Sequence, residues 1–283
     1  MQLLIVANTQ KSPVAAALKD MLPWISRKAD VVAVDTDYTT DMGALQADAI
    51  LVLGGDGTLL ATARRLRGRQ IPLLGVNFGR LGFLAAFTPE QFQKHFDDFI
   101  AGKLHTSHRQ AIQATVGRRF AATALNDAVI TAGAPFHMIQ LQISADSRDG
   151  EEIPSEGVTY HGDGVIVATA SGSTAYNVSA GGPIISPTVP AFCVTPICAH
   201  TMSFRPVVIS SSCTIRITAA KVNEGTTLFC DGQESTRLGA GDVVLIRSSP
   251  HPVLLIENPD AGEWRNLAEK LHWAAAPGDN IQP

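Results

Sequence analysis

The stretch ILVLGGDGTLLATARRL, residues 50–66, combines a short apolar run, a turn with three glycines and a segment of helix-forming residues. Glycines allow the backbone to turn sharply and to approach a ligand without a side-chain clash. Amide groups at the start of a helix point outward and together form an anion site. The stretch therefore predicts a strand that runs through a phosphate-binding turn into a helix.

Further apolar runs lie on both sides of this stretch, at 3–7, 31–34 and 71–76. Continuous apolar runs separated by helix-length segments are typical of buried parallel strands. Helices are predicted over 13–27 and from Pro89 to a stop at Gly102. We therefore predict an α/β, Rossmann-like domain over residues 1–103.

The hydrophobic period changes after Gly102. Ile139, Leu141 and Ile143 alternate with polar residues, which is the two-residue period of a half-exposed strand. Other short strand-like runs follow at 165–168, 207–209, 213–218, 227–230, 242–247 and 253–257. Many short strands with few helices predict a β-rich domain of sandwich type over 104–258. The remaining residues, 259–283, would form a helix at 263–273 and a tail, which could pack back on the first domain.

Composition excludes several classes of function. The chain has 283 residues, of which 45% are hydrophobic and 17% charged, as in a packed globular protein. The net charge is −4 and no basic run occurs, so nucleic acid is not an expected partner. No apolar stretch reaches the roughly 18 residues that a membrane span needs, and the N-terminus lacks a secretory leader. We expect a cytoplasmic protein whose four cysteines are reduced, and an aspartate-rich loop rather than a metal site at 35–48.

The glycine turn itself differs from the common nucleotide-binding motifs. It is neither a G-x-x-x-x-G-K-[ST] loop nor a G-x-G-x-x-G fingerprint, and it places Asp56 between glycines. A carboxylate beside a phosphate would be repelled unless it accepts a proton, orients a hydroxyl or meets a metal ion. The alternative is that Asp56 only caps the helix. The turn alone leaves both interpretations open.

Residues 54–60, GGDGTLL, resemble the turn shared by NAD kinases, lipid kinases of the diacylglycerol type and, more loosely, phosphofructokinases. A second resemblance narrows the acceptor. Asn126-Asp127 and the run 162–183 are similar to two NAD kinase signatures that lipid kinases are not expected to carry. Shorter similarities lie at 75–84, 204–206 and 231–233. The run departs from the family at Ala170 and Ser171, where Pro and Thr are common. Ser171 keeps a hydroxyl group at the second of these positions.

The resemblance implies transfer of the γ-phosphoryl group of ATP to the 2′-hydroxyl of the adenosine ribose of NAD, giving NADP. Asp56 would accept the proton from that hydroxyl, and Mg²⁺ would arrive with the nucleotide. The donor phosphates would meet Gly54, Gly55, Gly57 and Thr58. NAD would be bound by Asp56, Gly57, Asn126, Asp127, His137, His161, Asp163, Thr174, Ala175, Tyr176, Asn177, Val178, Ser179 and Gln233. The family also suggests a homo-oligomer, and the charge and hydropathy of the chain predict neither a nucleic-acid nor a membrane partner.

Physical chemistry supports one of these roles directly. An aspartate such as Asp127 can accept hydrogen bonds from both hydroxyls of a ribose, and its charge would repel a 2′-phosphate. For His137 and His161, an ordinary exposed or hydrogen-bonded side chain is an equal alternative to a ligand contact. Two other functions remain open, a lipid kinase and a dinucleotide sensor without turnover. A sensor has no need of an intact glycine turn around Asp56.

Overall fold

The computed structural model describes residues 1–79, 82–146, 157–201 and 203–271. The chain divides into two compact units. The first comprises Met1–His108 and the described part of Val253–Pro283, and the second comprises Arg109–Pro252. No helix in the described ranges is long and apolar enough to cross a membrane.

The first unit is an α/β unit. Elements are numbered along the whole chain, and the strands of this unit are β1 (Gln2–Ala7), β2 (Asp30–Asp35), β3 (Ala49–Leu53), β4 (Leu73–Val76), β5 (Thr106–Arg109) and β18 (Val253–Ile256). Its helices are α1 (Ser12–Ile25), α2 (Asp56–Arg65), α3 (Pro89–Ile100) and α5 (Glu263–Leu271). The strands form a sheet in the order β2-β1-β3-β4-β18-β5, in which β1 to β4 pair in parallel. The predicted α/β N-terminal domain is confirmed.

Burial explains why the apolar runs form the centre of this sheet. All five residues of β3 are buried, because β1 and β4 flank the strand on its two edges. Helix α3 adds Phe92, Phe96 and Phe99, whose three- and four-residue spacing puts the rings on one buried face. A capping box at Thr88 and Gln91 starts this helix. It ends at Ile100, and Gly102 then adopts the left-handed conformation with a φ of 67°, as the predicted glycine stop requires.

The second unit is built from antiparallel strands. They are β6 (Ile112–Val116), β7 (Phe120–Ala124), β8 (Asp127–Thr131), β9 (Ile139–Asp146), β10 (Val158–Gly162), β11 (Gly164–Thr169), β12 (Ala191–Ile197), β13 (Val207–Ser210), β14 (Thr214–Lys221), β15 (Thr227–Cys230), β16 (Glu234–Arg237) and β17 (Val243–Ser248). They form two sheets, in the orders β10-β9-β14-β17-β6-β7 and β13-β12-β11-β8-β15-β16. A short 3₁₀ helix, Ser171–Thr174, and α4, Tyr176–Ser179, follow β11.

One buried apolar cluster contains residues from both sheets of the second unit. Leu141 and Ile215 come from the first sheet, and Val165, Phe192 and Leu228 come from the second. The alternation seen at Ile139 and Leu141 thus marks the faces turned toward a shared core. The predicted strand-rich C-terminal domain is confirmed.

The last strand belongs to the first unit and not to the β-rich domain predicted to end at residue 258. Strand β18 pairs in parallel with β4, with Leu255 opposite Leu73, so the second unit ends at Pro252. A four-residue apolar strand carries no local signal of the sheet that it will join, which explains the misplaced boundary. Helix α5 groups with the first unit as well, and the predicted continuation of this helix beyond Leu271 lies outside the described residues.

The aspartate-rich segment after β2 is irregular, as predicted, but its first aspartate is not solvated. Asp35 is buried at the end of β2, and its Oδ2 lies 2.6 Å from the guanidinium of Arg65 on α2. The same guanidinium donates to the carbonyl oxygen of Thr40 over 2.8 Å. The pair therefore ties the loop to the helix that starts at the glycine turn.

Candidate active site

The glycine turn lies between β3 and α2, with Gly55 at the N-cap of the helix and Asp56 as its first residue. The amide of Gly54 donates to the carbonyl oxygen of Val76 at the end of β4, over 2.9 Å. A Cβ atom on Gly54 would lie 2.5 Å from Oγ1 of Thr58, so this position requires glycine. The turn is thus held at the carboxyl ends of two parallel strands, which is where ligands bind in open α/β sheets.

At least two of the four expected phosphate-binding amides are already bonded within the first unit. The amide of Gly54 is bonded to Val76, and the amide of Thr58 donates to the carbonyl oxygen of Gly55 over 3.0 Å. Thr58 is also buried, whereas Gly57 is exposed at the start of α2. The structure therefore argues against Gly54 and Thr58 as amide donors to a bound phosphate.

The carboxylate of Asp56 is held by three backbone amides of one short segment. Phe83 donates to Oδ2 over 2.8 Å, and Leu84 and Ala85 donate to Oδ1 over 3.2 and 2.8 Å. A Cβ atom on Gly82 would lie 1.8 Å from Oδ1, so only glycine allows this approach. These three amide bonds fix the direction of a half-buried carboxylate.

The contact between Asp56 and residues 83–85 was not predicted from the sequence. The similarity of residues 75–84 to the NAD kinase family does not by itself indicate a role for this segment. A usable signal was present, because a glycine before two apolar residues after a buried strand suits a close backbone approach. Asp56 therefore does more than cap its helix, since its bonds go to a segment 27 to 29 residues further along the chain.

In the second unit, Asn126 and Asp127 lie where the chain enters β8. The amides of Leu125, Asn126 and Asp127 donate to the carboxylate of Asp231 over 2.8, 2.8 and 3.1 Å. Sequence reasoning placed the role of the Asp-Gly-Gln resemblance on Gln233 and missed Asp231. An aspartate followed by glycine at the end of a strand is a common turn signal, and it could have indicated this contact.

The residues of the long signature run hold the same segment from its other side. The amide of Thr169 donates to the carbonyl oxygen of Asn126 over 2.8 Å, and its hydroxyl donates to that of Leu125 over 2.6 Å. A Cβ atom on Gly172 would lie 2.0 Å from the carbonyl oxygen of Asn126. Part of the signature therefore positions Asn126 and Asp127.

A cavity of about 340 Å³ opens beside this segment. Four residues expected to bind NAD line it, namely Asn126, Asp127, Ala175 and Tyr176. The side chain of Tyr176 is 46% exposed, so its ring is accessible to a ligand. Asp231 and Gly232 also contribute to the wall.

Asp127 is a charged residue of this cavity whose ionisation departs from the ordinary case. Burial, together with the nearby charge of Asp231, raises the pKa of Asp127 to about 7. Neither of these causes is a hydrogen bond from a described residue to the carboxylate. A buried carboxyl group with a raised pKa at a cavity is a sign of a functional site. Hydroxyl groups of a ligand would donate hydrogen bonds to this carboxylate.

The side chain of Asn177, another residue expected to bind NAD, is used within the protein. It is fully buried, and its amide nitrogen donates to the carbonyl oxygens of Ser173 and Pro183, both over 3.0 Å. Its Oδ1 accepts from the hydroxyl of Thr195 over 2.6 Å. The structure therefore gives Asn177 the task of holding α4, which carries Tyr176.

The other residues expected to bind NAD are described but do not line the cavity. Those that are exposed are His137, His161, Asp163, Ser179 and Gln233, and those that are partly buried are Thr174 and Val178. His161 and Asp163 lie at and just beyond the end of β10. The family resemblance implies that the whole set of residues binds NAD. The cavity of the second unit brings together only four members of that set, the four named above as lining it.

Among the described residues there is no cluster of three or more His, Cys, Asp or Glu side chains that could hold a metal ion. The charged groups of the two regions are instead single carboxylates, Asp56 in the first unit and Asp127 and Asp231 in the second. Such a carboxylate can orient a hydroxyl and accept its proton, which is what a phosphoryl-transfer enzyme requires of its acceptor side.

Comparison with known proteins finds one family along most of the chain. Residues 4–104 match the model of the ATP-NAD kinase N-terminal domain, and residues 125–258 match that of the ATP-NAD kinase C-terminal domain. A NAD kinase of Syntrophotalea carbinolica is 40% identical over 286 residues, covering 95% of this chain and 97% of the relative. One of Rhodopirellula baltica is 34% identical over 277 residues, covering 96% and 87%.

Solved structures agree with these relatives. The crystal structure of an NAD kinase from Archaeoglobus fulgidus in complex with ATP has a TM-score of 0.74 and 26% identity, and covers 96% of this chain and 99% of that one. Yeast NADH kinase complexed with NADH shares the fold, with a TM-score of 0.80 at 24% identity over 100% of this chain and 90% of that one. With both halves matched and these relatives aligned end to end, the chain belongs to the ATP-NAD kinase family and is an enzyme of that type.

Proposed function

We propose that this NAD kinase uses Asp56 to orient the 2′-hydroxyl of the adenosine ribose of NAD and to accept its proton as the γ-phosphoryl group of ATP is transferred. The observation that carries the proposal is the fixed carboxylate of Asp56, held by the amides of Phe83, Leu84 and Ala85. Phosphoryl transfer has a loose transition state, so catalysis consists mainly of alignment and charge stabilisation. A carboxylate whose direction is set before the substrate binds meets that requirement.

The pattern of bonds to Asp56 also indicates which of its oxygens faces the substrate. A carboxylate offers about four lone-pair positions, two on each oxygen. Oδ1 accepts two amides and Oδ2 accepts one, so the open position is on Oδ2. We assign the contact with the ribose hydroxyl to Oδ2 of Asp56.

Asn126 and Asp127 are proposed to bind the adenosine part of NAD. Burial and the charge of Asp231 raise the pKa of Asp127, and the two hydroxyls of a ribose would donate hydrogen bonds that stabilise its ionised form. A 2′-phosphate would be repelled by the ionised form, which favours NAD over NADP. Tyr176 offers a ring for stacking, and Thr174, Ala175, Val178 and Ser179 allow close approach because their side chains are small, two of them with a hydroxyl group.

The donor phosphates are proposed to bind at the N-terminus of α2, through the amides of Gly55 and Gly57. Mg²⁺ carried by ATP would neutralise phosphate charge beside these amides. The two arginines in the last turn of α2, Arg64 and Arg65, lie at its opposite end, where they stabilise the helix dipole. The family resemblance alone supports the remaining expectations, namely contacts from His137, His161, Asp163 and Gln233, a homo-oligomer and a cytoplasmic location.

The experiment combines the purified protein with NAD, ATP and Mg²⁺ and follows NADP with an NADP-specific dehydrogenase. We expect NAD to be phosphorylated to NADP. An NAD analogue that lacks the 2′-hydroxyl of the adenosine ribose should not be phosphorylated, because it lacks the acceptor. Parallel reactions with polyphosphate and with NADH define the donor and acceptor range. Binding of NAD without any NADP would instead identify a dinucleotide sensor, and phosphorylation of diacylglycerol would identify a lipid kinase. In the same assay Asp56→Asn tests the proposed base.

A further inference from the structure

One peptide group connects Asp56 with the C-terminal helix of the first unit. The amide of Phe83 donates to Oδ2 of Asp56 over 2.8 Å. The carbonyl group of the same peptide unit belongs to Gly82, and its oxygen accepts a hydrogen bond from Nζ of Lys270 on α5. An ammonium group and a carboxylate are thus joined through the two ends of a single peptide group.

Lys270 has a second contact with the same segment. Its Nζ lies 4.6 Å from the centroid of the Phe83 ring, within the range of a cation–π interaction. The lysine is therefore bound by both the backbone of Gly82 and the side chain of Phe83. Two contacts from one partly buried cation restrict the rotation of this peptide more than either contact would alone.

The physical effect reaches Asp56 in two ways. A peptide group whose carbonyl oxygen is bonded to a cation is polarised, which makes its N–H group a stronger donor to the carboxylate. Rotation of the peptide would also break the bonds to Lys270 and to Asp56 together. Because a Cβ atom at Gly82 would lie 1.8 Å from Oδ1 of Asp56, little room is left for the segment to shift while keeping its contact.

We infer that Lys270 is a positioning residue for Asp56, and that the C-terminal helix sets the rate of phosphoryl transfer by fixing the Gly82–Phe83 peptide. The inference rests on the proposed role of Asp56 as the base. Misplacing a reacting group by about 1 Å costs up to about 100-fold in rate. A loosened peptide leaves Asp56 with its two other amides, so we expect a smaller loss on removal of Lys270.

The test is a graded series at this position in the full-length protein. Lys270→Met keeps an unbranched side chain over the Phe83 ring but removes the charge and the donor. Lys270→Gln keeps a neutral donor, and Lys270→Arg keeps both charge and donor. Arg265→Met is the matched control, because it removes an exposed positive charge from the same helix.

We expect Lys270→Met to lower kcat about tenfold with the KM for NAD and for ATP within about twofold, on the scale of a lost positioning contact. Lys270→Gln should be intermediate, and Lys270→Arg should retain most of the wild-type kcat. Arg265→Met should match the wild type. Hydrogen exchange of the Phe83 to Ala85 amides should quicken in Lys270→Met and not in Arg265→Met.

The outcomes separate this inference from the proposed function. Wild-type protein that makes no NADP contradicts the function itself, whereas the exchange measurement still tests the contact. Wild-type kcat in Lys270→Met overturns the positioning role. A loss of kcat in Arg265→Met equal to that in Lys270→Met also overturns it, since any charge on the helix would then suffice. If Lys270→Met does not fold, equal kcat in Lys270→Gln and Lys270→Arg overturns the role of the charge.

Discussion

Asp56 in the first unit and Asp231 in the second hold the chain by the same pattern of hydrogen bonds. Each carboxylate accepts three successive backbone amides, two on one oxygen and one on the other. In each case a glycine allows a close approach, Gly82 beside Asp56 and Gly172 beside the segment held by Asp231. The two regions differ in which partner carries the functional group.

In the first unit the segment 83–85 organises the carboxylate, and Asp56 itself is proposed to meet the substrate. In the second unit the carboxylate organises the segment, and Asn126 and Asp127 within it line the cavity. On the proposed roles, the same arrangement of bonds would serve turnover in one place and binding in the other. Substitutions at the two aspartates should accordingly affect different kinetic constants.

The largest expected effect is that of Asp56→Asn. The amide side chain cannot accept a proton, and its NH₂ group would face one of the amides that now donate to the carboxylate. We expect kcat to fall at least ~100-fold, on the scale of a positioned general base, with the dissociation constant for NAD within about threefold. Steady-state kinetics and calorimetric titration of NAD measure the two quantities.

The control for this substitution is a measurement of whether the variant still folds. Thermal unfolding of Asp56→Asn shows whether the segment 83–85 has come loose, and an intact protein with wild-type kcat would remove Asp56 from the chemistry. A fall in NAD affinity equal to the fall in kcat would erase the proposed contrast with Asp231.

Asp231→Asn is expected to have the next largest effect, on binding instead of turnover. The substitution replaces a charged acceptor of three amides by a neutral one that also carries a donor, so the segment 125–127 shifts. We expect the KM for NAD to rise about 30-fold, which corresponds to about 2 kcal/mol, with kcat changed by less than about threefold. Glu224→Gln is the matched control, because Glu224 is an exposed carboxylate of the same unit.

The contrast between the regions also shows what a sequence can predict. The strand, turn and helix at residues 50–66 were predictable because their signals are local, an apolar run followed by glycines and then helix formers. The sequence pattern did not predict the unit to which strand β18 belongs. Its partner, β4, is remote in sequence, and an apolar run does not indicate which strand it will pair with. Pairing depends on packing that the local pattern does not encode.

The same limit applies to the candidate site. The amide of Asn126 bonds to an aspartate 105 residues away, so the role of Asp231 could not follow from spacing. Asn177 was grouped with ligand contacts because it lies within the signature run, yet its side chain turns inward to Ser173, four residues earlier. Every residue offers such a backbone carbonyl, so the spacing could not distinguish Asn177 from the exposed Tyr176.

A smaller effect is expected from pH. Since burial and Asp231 raise the pKa of Asp127 to about 7, the carboxyl group is mostly protonated at pH 6 and mostly ionised at pH 8. The ionised form accepts hydrogen bonds from a ribose, so NAD affinity should rise about tenfold between these values. Calorimetric titration of NAD at pH 6, 7 and 8 measures this affinity. Asp127→Asn should bind NAD weakly at each pH, and the wild-type pH dependence persisting in that variant would assign it to another group.

The smallest expected effect concerns the free energy of unfolding without ligand. This free energy should fall as pH rises, whereas the affinity for NAD should increase. The pKa of Asp127 is raised in the folded protein, so the folded state binds its proton more tightly than the unfolded state does. The contribution of this group is therefore complete below the unfolded pKa, near 3.8, and declines as pH rises to about 7, above which it is constant. Between pH 6 and 8 the free energy of unfolding should fall by about 1 kcal/mol more in the wild type than in Asp127→Asn. Urea unfolding of both proteins tests this, and parallel pH profiles would show that Asp127 ionises in the free enzyme as an ordinary exposed aspartate does.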